Sequence, residues 1–242
     1  MIEVDEHGAV RVVRLHHGKV NALDLELLLA LRDTFAGLRD APVVLTGAGR
    51  CFSAGVDLRR VLQEGENPAY ATAFLAALGG ACRAVFEHPR PVVAAVNGHA
   101  IAGGCILALA CDRRFMAGGT IGVTELAVGV PYPAVPMEVL RFAAGSAASD
   151  LALSARTMGP EEAARIGLVD AVVPAGELLD RALGEAGRLA RVPAQTYALT
   201  KRQLRRDALA RMDAGAADDA QVLAGWSTPE ARAAIAAFFE AL

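Results

Sequence analysis

The strongest constraint in this sequence is a unit that occurs twice. Pro42-Val43-Val44 opens an apolar run that closes at Gly47 and is followed by Ala54-Gly55. Pro91-Val92-Val93, 49 residues on, opens a second run that closes at Gly98 and is followed by Ala102-Gly103. A short apolar run bounded by proline and glycine suits a strand buried on both faces. Each unit then reads as a strand, a tight glycine turn and a helix opening after the Ala-Gly pair. One such unit cannot bury its own apolar surface, so two copies imply stacking, as turns of a spiral or as an α/β layer. Stacking brings two helix starts, with backbone N–H groups that lack partners inside the helix, to one end of a sheet.

The flanking pattern is consistent with that class. Residues 10–15 read as a strand, 23–38 and 70–87 as helices, 103–111 as a short helix and 113–116 as a strand. Prolines 131, 133 and 136 argue against regular helix in that stretch. From Met137 the pattern is helical except at 169–173. Residues 1–190 are expected to form the core. Residues 191–242 are expected to form a helical C-terminal subdomain, too small to fold alone, whose aromatic cluster of Trp226, Phe238 and Phe239 packs on the core or on a neighbouring subunit.

Composition limits the partners. There are 24 Lys and Arg against 27 Asp and Glu, a net charge of −3. That is not the basic excess of a nucleic-acid or anionic-membrane binder. The run Lys201-Arg202-Gln203-Leu204-Arg205-Arg206 approaches one but reads as a solvated or interface helix. Cys51, Cys82, Cys105 and Cys111 form no CxxC pair and no zinc spacing, so reduced thiols and no metal are expected. The most apolar stretch, 91–111, is interrupted by Asn97, His99 and glycines, which argues against a membrane span. The first residues resemble neither a signal nor a transit peptide, and the last three are not a peroxisomal address. A cytoplasmic protein is expected.

Several chemistries are unsupported. The segment from Gly98 to Cys105 has P-loop glycines but neither the lysine nor the hydroxyl that hold phosphate and magnesium. No GxGxxG follows the first strand, and Ser53 lacks the first glycine of a nucleophile elbow. His16, His17 and His99 are isolated candidates for a base. What remains is two backbone turns and one acid. Phe52-Ser53-Ala54-Gly55-Val56-Asp57-Leu58 and Ala102-Gly103-Gly104 each present amides in the same repeat context, which suits a two-donor oxyanion site. Glu125 stands in a largely uncharged stretch from 116 to 137, where an apolar setting raises a carboxyl pKa toward general acid–base use.

These segments resemble the crotonase, or enoyl-CoA hydratase/isomerase, superfamily over nearly the whole chain. The resemblance is carried by Asn21-Ala22-Leu23, by 52–58, by 95–105 through Ala110-Cys111-Asp112, and by 163–173. It implies a spiral of β–β–α turns with a helical C-terminal part, an acyl-CoA thioester ligand, no separate cofactor, and a homo-trimer or hexamer. It implies that the N–H groups of Val56 and Gly103 hold the thioester oxygen. Ala54, Asp57, Leu58, Ile106 and Pro133 are expected to contact the substrate. Hydratases of the family carry two glutamates; Glu125 matches one, while Ile106 occupies the position of the other. One glutamate, with Ile121 to Glu125 and the following Gly129 and Pro133, is similar to Δ3,Δ2-enoyl-CoA isomerases. Hydration with Glu138 or Asp57 as second acid, thioester hydrolysis, decarboxylation and a non-catalytic binding subunit are the alternatives.

Overall fold

In the computed structural model, which describes residues 1–64, 67–215, 217–226 and 228–240 apart from the side chains of Phe238 and Glu240, the chain alternates between two sheets. Strands β1 (Ile2–His7), β2 (Val10–Leu15), β3 (Val43–Gly47), β5 (Val92–Val96), β7 (Arg113–Met116) and β10 (Ala171–Val172) form one sheet, in the order β1-β2-β3-β5-β7-β10. Strands β4 (Cys51–Ser53), β6 (His99–Ile101), β8 (Ile121–Gly122) and β9 (Thr157–Met158) form the other, in the order β4-β6-β8-β9. The helices are α1 (Leu25–Gly37), α2 (Leu58–Gln63), α3 (Pro68–Phe86), α4 (Gly103–Ala110), α5 (Ala134–Ala144), α6 (Ala148–Ser154), α7 (Pro160–Arg165), α8 (Leu178–Leu189), α9 (Ala194–Gly215), α10 (Asp219–Trp226) and α11 (Pro229–Glu240). Each turn of the spiral therefore lays one strand in each sheet and then a helix: β3, β4 and α2–α3; β5, β6 and α4; β7, β8 and α5.

The repeat seen in the sequence is the pairing register itself. Val43 pairs with Val92, Val44 with Val93, Leu45 with Ala94 and Thr46 with Ala95, in parallel. Both strands are wholly buried because helices cover the two faces of the sheet's parallel centre; only its edge strand β1 runs antiparallel, to β2. Val44 and Val93 pack with α8 through Leu178, Ala182 and Ala186, while Leu45 and Ala94 face the larger core shared with α1, α3 and α4. Asn97 ties successive turns together: its Oδ1 accepts from Gly47 N–H at 3.1 Å, and its Nδ2 donates to Gly49 O at 3.0 Å.

Three expectations change. The first helix starts at Leu25, not residue 23: Asp24 caps it by accepting from Leu27 N–H at 2.8 Å, and Leu23 instead bridges to Val56. Helix α5 begins inside the proline-rich stretch that was expected to exclude helix. Pro133 is its N-cap residue and Pro136 lies in its first turn, where a missing N–H costs no helical bond. Finally, the basic run on α9 is not wholly solvated. Lys201 and Arg205, four residues apart and so on one helix face, are buried. Asp112, just before β7, accepts from Lys201 Nζ at 2.8 Å and Arg205 Nη2 at 2.9 Å, and its Oδ2 also accepts from Val92 N–H at 2.8 Å. Burial pulls Lys201 down to about 8 against the opposing pull of Asp112. This ionic clamp fixes α9, and with it the helices that follow, to the end of the central strands.

Candidate active site

A cavity of about 490 Å³ opens where the second sheet meets the C-terminal helices, and every residue expected at the site lines it. The first loop gives Ala54, Val56, Asp57, Leu58 and Arg59; the second gives Ile101, Ala102, Gly103 and Ile106. Thr124, Glu125, Val128, Val130, Pro133 and Pro136 form a further wall, and Val20, Ala22, Leu78, Trp226 and Phe239 complete it.

The two amides are freed by different means. Leu23 takes the backbone groups on either side of Val56: its N–H donates to Gly55 O at 2.8 Å and its carbonyl accepts from Asp57 N–H at 3.0 Å. In such a parallel bridge Val56 turns its own N–H away from Leu23. Helix α2 opens only at Leu58, capped by Asp57, which accepts from Arg60 N–H at 3.0 Å. The first donor therefore lies in a bridge, ahead of the helix, and not at a helix start as the repeat suggested. The second matches expectation: Gly103 is the first residue of α4, where no intrahelical acceptor exists. Among the described residues neither N–H has a hydrogen-bond acceptor.

Close approach of the two loops demands small residues. A Cβ on Gly55 would lie 2.6 Å from Ile101 O and 3.4 Å from Gly103 N, so the donor-bearing loops touch there. A Cβ on Gly104 would meet Ser53 O at 2.4 Å. Between them Ala102 adopts φ 50°, ψ −122°, a conformation that costs an L-residue about 1–3 kcal/mol. Its N–H donates to Gly122 O at 2.8 Å and its carbonyl accepts from Ile106 N–H at 3.0 Å, which hold it there.

Glu125 begins the 3-10 turn Glu125–Val128 after β8. It is 8% exposed, and its Oε2 is buried without a hydrogen-bond partner. Burial raises its pKa to about 7, partly opposed by nearby backbone N–H groups and by the Tyr132 hydroxyl. Asp57 also lines the cavity, but its carboxyl is engaged as the cap of α2. Ile106 is wholly buried and presents only hydrocarbon.

Other candidates fall elsewhere. Glu138 is buried on α5 but pairs with Arg141 and Arg211 and lines a different cavity. His16 pairs with Glu3, His17 with Asp24 and His99 with Thr120, and none reaches the site. All four cysteines are free and buried, and among the described residues no cluster of His, Cys, Asp and Glu suits a metal. Of the expected aromatic cluster, Trp226 packs on Phe74 and lines the cavity with Phe239; the Phe238 side chain lies outside the described residues. Features not expected from the sequence include Tyr132, which stands beside Glu125 without lining this cavity, and Leu78 of α3, which does line it. The Pro131-Tyr132-Pro133 triplet was the available signal for the first.

Comparison with known proteins agrees with this geometry. A family model described as Enoyl-CoA hydratase/isomerase matches residues 5–242. A Thermus thermophilus protein that carries an enoyl-CoA hydratase name is 36% identical, over 99% of this chain and 98% of its own. Human enoyl-CoA delta isomerase 1, mitochondrial, is 30% identical over 88% of this chain and 72% of its own. The crystal structure of human mitochondrial Δ3-Δ2-enoyl-CoA isomerase superposes with a TM-score of 0.92 at 27% identity, covering 99% of this chain and 97% of that one. With the spiral, the paired loops and the family match in agreement, the chain belongs to the enoyl-CoA hydratase/isomerase family.

Proposed function

We propose that the protein is a Δ3,Δ2-enoyl-CoA isomerase. The observation that carries this reading is that Glu125 is the one uncommitted carboxyl lining the cavity among the described residues: Asp57 is committed to a helix cap, and Ile106, wholly buried, takes the position where the family resemblance puts a second acid. Water addition requires one group to activate water and another to handle the proton at the adjacent carbon. Shifting a double bond requires only one.

In this scheme the thioester oxygen of a 3-enoyl-CoA accepts hydrogen bonds from Val56 and Gly103. Glu125 as carboxylate takes a proton from C2; the electron pair of that C–H bond moves into a dienolate whose charge rests on the thioester oxygen. The two N–H donors, with α4 pointing its positive end there, stabilise that charge. Protonated Glu125 then delivers the proton to C4, which lies one carbon beyond C3, and the 2-enoyl-CoA results. The sequence is redox-neutral and needs no group besides these. Val56, Leu58 and Ile106, with Trp226 and Phe239, supply an apolar lining that excludes water from the dienolate.

Hydration is the second reading, favoured by the name of the Thermus relative. Both are tested on one preparation. Conjugation of a 3-enoyl-CoA is expected to outrun hydration of a 2-enoyl-CoA, and the reverse order would overturn the isomerase assignment. Ile106→Glu places a carboxyl one turn into α4 from Gly103. Like charges in one apolar cleft push one pKa up, so that acid holds a proton at neutral pH. Measurable hydration should appear, with a lower melting temperature because the site is wholly buried. An Ile106→Glu protein that folds and hydrates no better than wild type would show that the second acid's position has been misread.

Assembly as a trimer or hexamer, implied by the resemblance, is consistent with exposed Phe142 and Leu204, which border one cavity on α5 and α9. Light scattering reads it directly.

A further inference from the structure

We propose that Tyr132 is a positioning residue for Glu125: its phenol hydroxyl donates to Oε2 of the ionised carboxyl and leaves the other oxygen to face the substrate. The proposal rests on the reading of Glu125 as the base. Two buried polar atoms seven residues apart in the chain lack partners, Glu125 Oε2 and the Tyr132 hydroxyl. A buried polar group without a partner costs about 1–3 kcal/mol, and natural chains keep few of them. Here the two are neighbours, since each is among the groups that shift the other's ionisation. A hydrogen bond from the phenol hydroxyl to that oxygen satisfies both at once when the carboxyl is charged. Oε2 is buried, so anchoring it would leave Oε1 as the oxygen that handles the C2 and C4 protons.

The segment that carries Tyr132 is held stiffly. Pro131 and Pro133 flank it; each fixes its own φ, and Pro133 restricts Tyr132 to extended backbone. Val130 N–H donates to Glu125 O at 3.0 Å, which ties this segment directly to the turn of the base. Pro131 O accepts from Trp226 Nε1 at 2.9 Å, and Asp219 Oδ1 accepts from Ala134 N–H at 2.9 Å. Helix α10 thus clamps both ends of the Pro-Tyr-Pro triplet. A tyrosine that merely filled space would need no such fixation of its backbone.

The other titratable groups around Glu125 do not compete. Cys82 of α3 and Cys105 of α4 are wholly buried, and burial pushes their thiols up, that of Cys82 to about 12, so both stay neutral. Asp57 and Arg59 line the same cavity, with Asp57 capping α2. Tyr132 is therefore the side-chain donor placed to favour the charged form of Glu125.

The test is a titration of Glu125 in the ligand-free protein, followed by NMR of carboxyl-13C glutamate and assigned with Glu125→Gln. Tyr132→Phe removes the donor and should move the midpoint up by about one pH unit. The acid limb of kcat should move with it and kcat at neutral pH should fall about fivefold, as the ionised fraction drops, with KM changed little. Incorporating 3,5-difluorotyrosine at position 132 keeps the shape and strengthens the donor, so the midpoint should move down; this arm covers the case in which Tyr132→Phe fails to fold. A midpoint unmoved by either replacement overturns the proposal, whatever happens to the rate. Because the titration needs no substrate, a protein that fails to isomerise 3-enoyl-CoA yet shows the shift would sink the isomerase reading and leave Tyr132 in place.

Discussion

Glu125→Gln should abolish most isomerase turnover and, at the same time, remove a pH-dependent weakness of the fold. Glutamine keeps the shape but cannot accept the C2 proton, so kcat should fall by at least ~10²-fold, while thioester affinity, carried by backbone donors and apolar walls, should change little. In wild type, kcat/KM should rise with pH through about 7, because the base works only when ionised and burial has raised its pKa there. The same shift has a thermodynamic sign. The folded carboxyl at about 7, against a reference of 4.5, binds a proton more tightly than the unfolded one. Its stabilising contribution is complete below pH 4.5 and is lost as pH rises through 7. At 1.36 kcal/mol per pH unit, the difference of about 2.5 units corresponds to about 3 kcal/mol. The wild-type melting temperature should therefore fall between pH 5 and 8 by more than that of Glu125→Gln. Two parallel melting curves, or near-normal turnover in the variant, would show that the carboxylate has been misassigned.

Asp112→Ala should be the most damaging change to stability. The carboxylate answers two buried cations and the N–H of Val92, and its removal leaves all three without that partner. Breaking a buried pair from one side costs about 3–5 kcal/mol, and a domain of this size loses about 2–4 °C in melting temperature per kcal/mol. A fall of roughly 6–20 °C is expected by calorimetry. The clamp holds α9, and the helices after it carry Trp226 and Phe239 of the cavity wall, so KM for the thioester should rise as well. A melting temperature within a degree or two of wild type would mean that α9 is held mainly by its apolar face.

The central strands and the place of Glu125 in the cavity wall were legible in the sequence because their signals are local. Pro-Val-Val runs closed by glycine read as strands, and their spacing turned out to be their register. Glu125 stood out because its neighbours in sequence are uncharged, and those residues are also its neighbours in space. The second sheet was not legible. Strands β4, β6, β8 and β9 have only two or three residues each, too few for any periodicity, and they exist because the first sheet holds their ends in line. Strand β1 was not read as a strand; it pairs at the sheet edge, with most of its residues in solvent. Lys201 and Arg205 looked solvated because charge in a sequence suggests water, and the carboxylate that makes their burial tolerable lies far off in the chain. Leu78 and the lining role of Trp226 and Phe239 depend on how distant helices dock, which no local pattern encodes.

The cavity draws its walls from nearly the whole length of the chain, from Val20 to Phe239. During synthesis Glu125, Val56, Gly103 and the apolar floor emerge well before α10 and α11. A nascent chain therefore carries a cleft that lacks one wall, with the Glu125 carboxyl more open to water, where a carboxyl behaves as an ordinary weak acid. Trp226 and Phe239 add the last part of its wall. The cavity is thus complete only when the polypeptide is, and until then its apolar residues are surface of the kind that makes unfinished chains prone to aggregate.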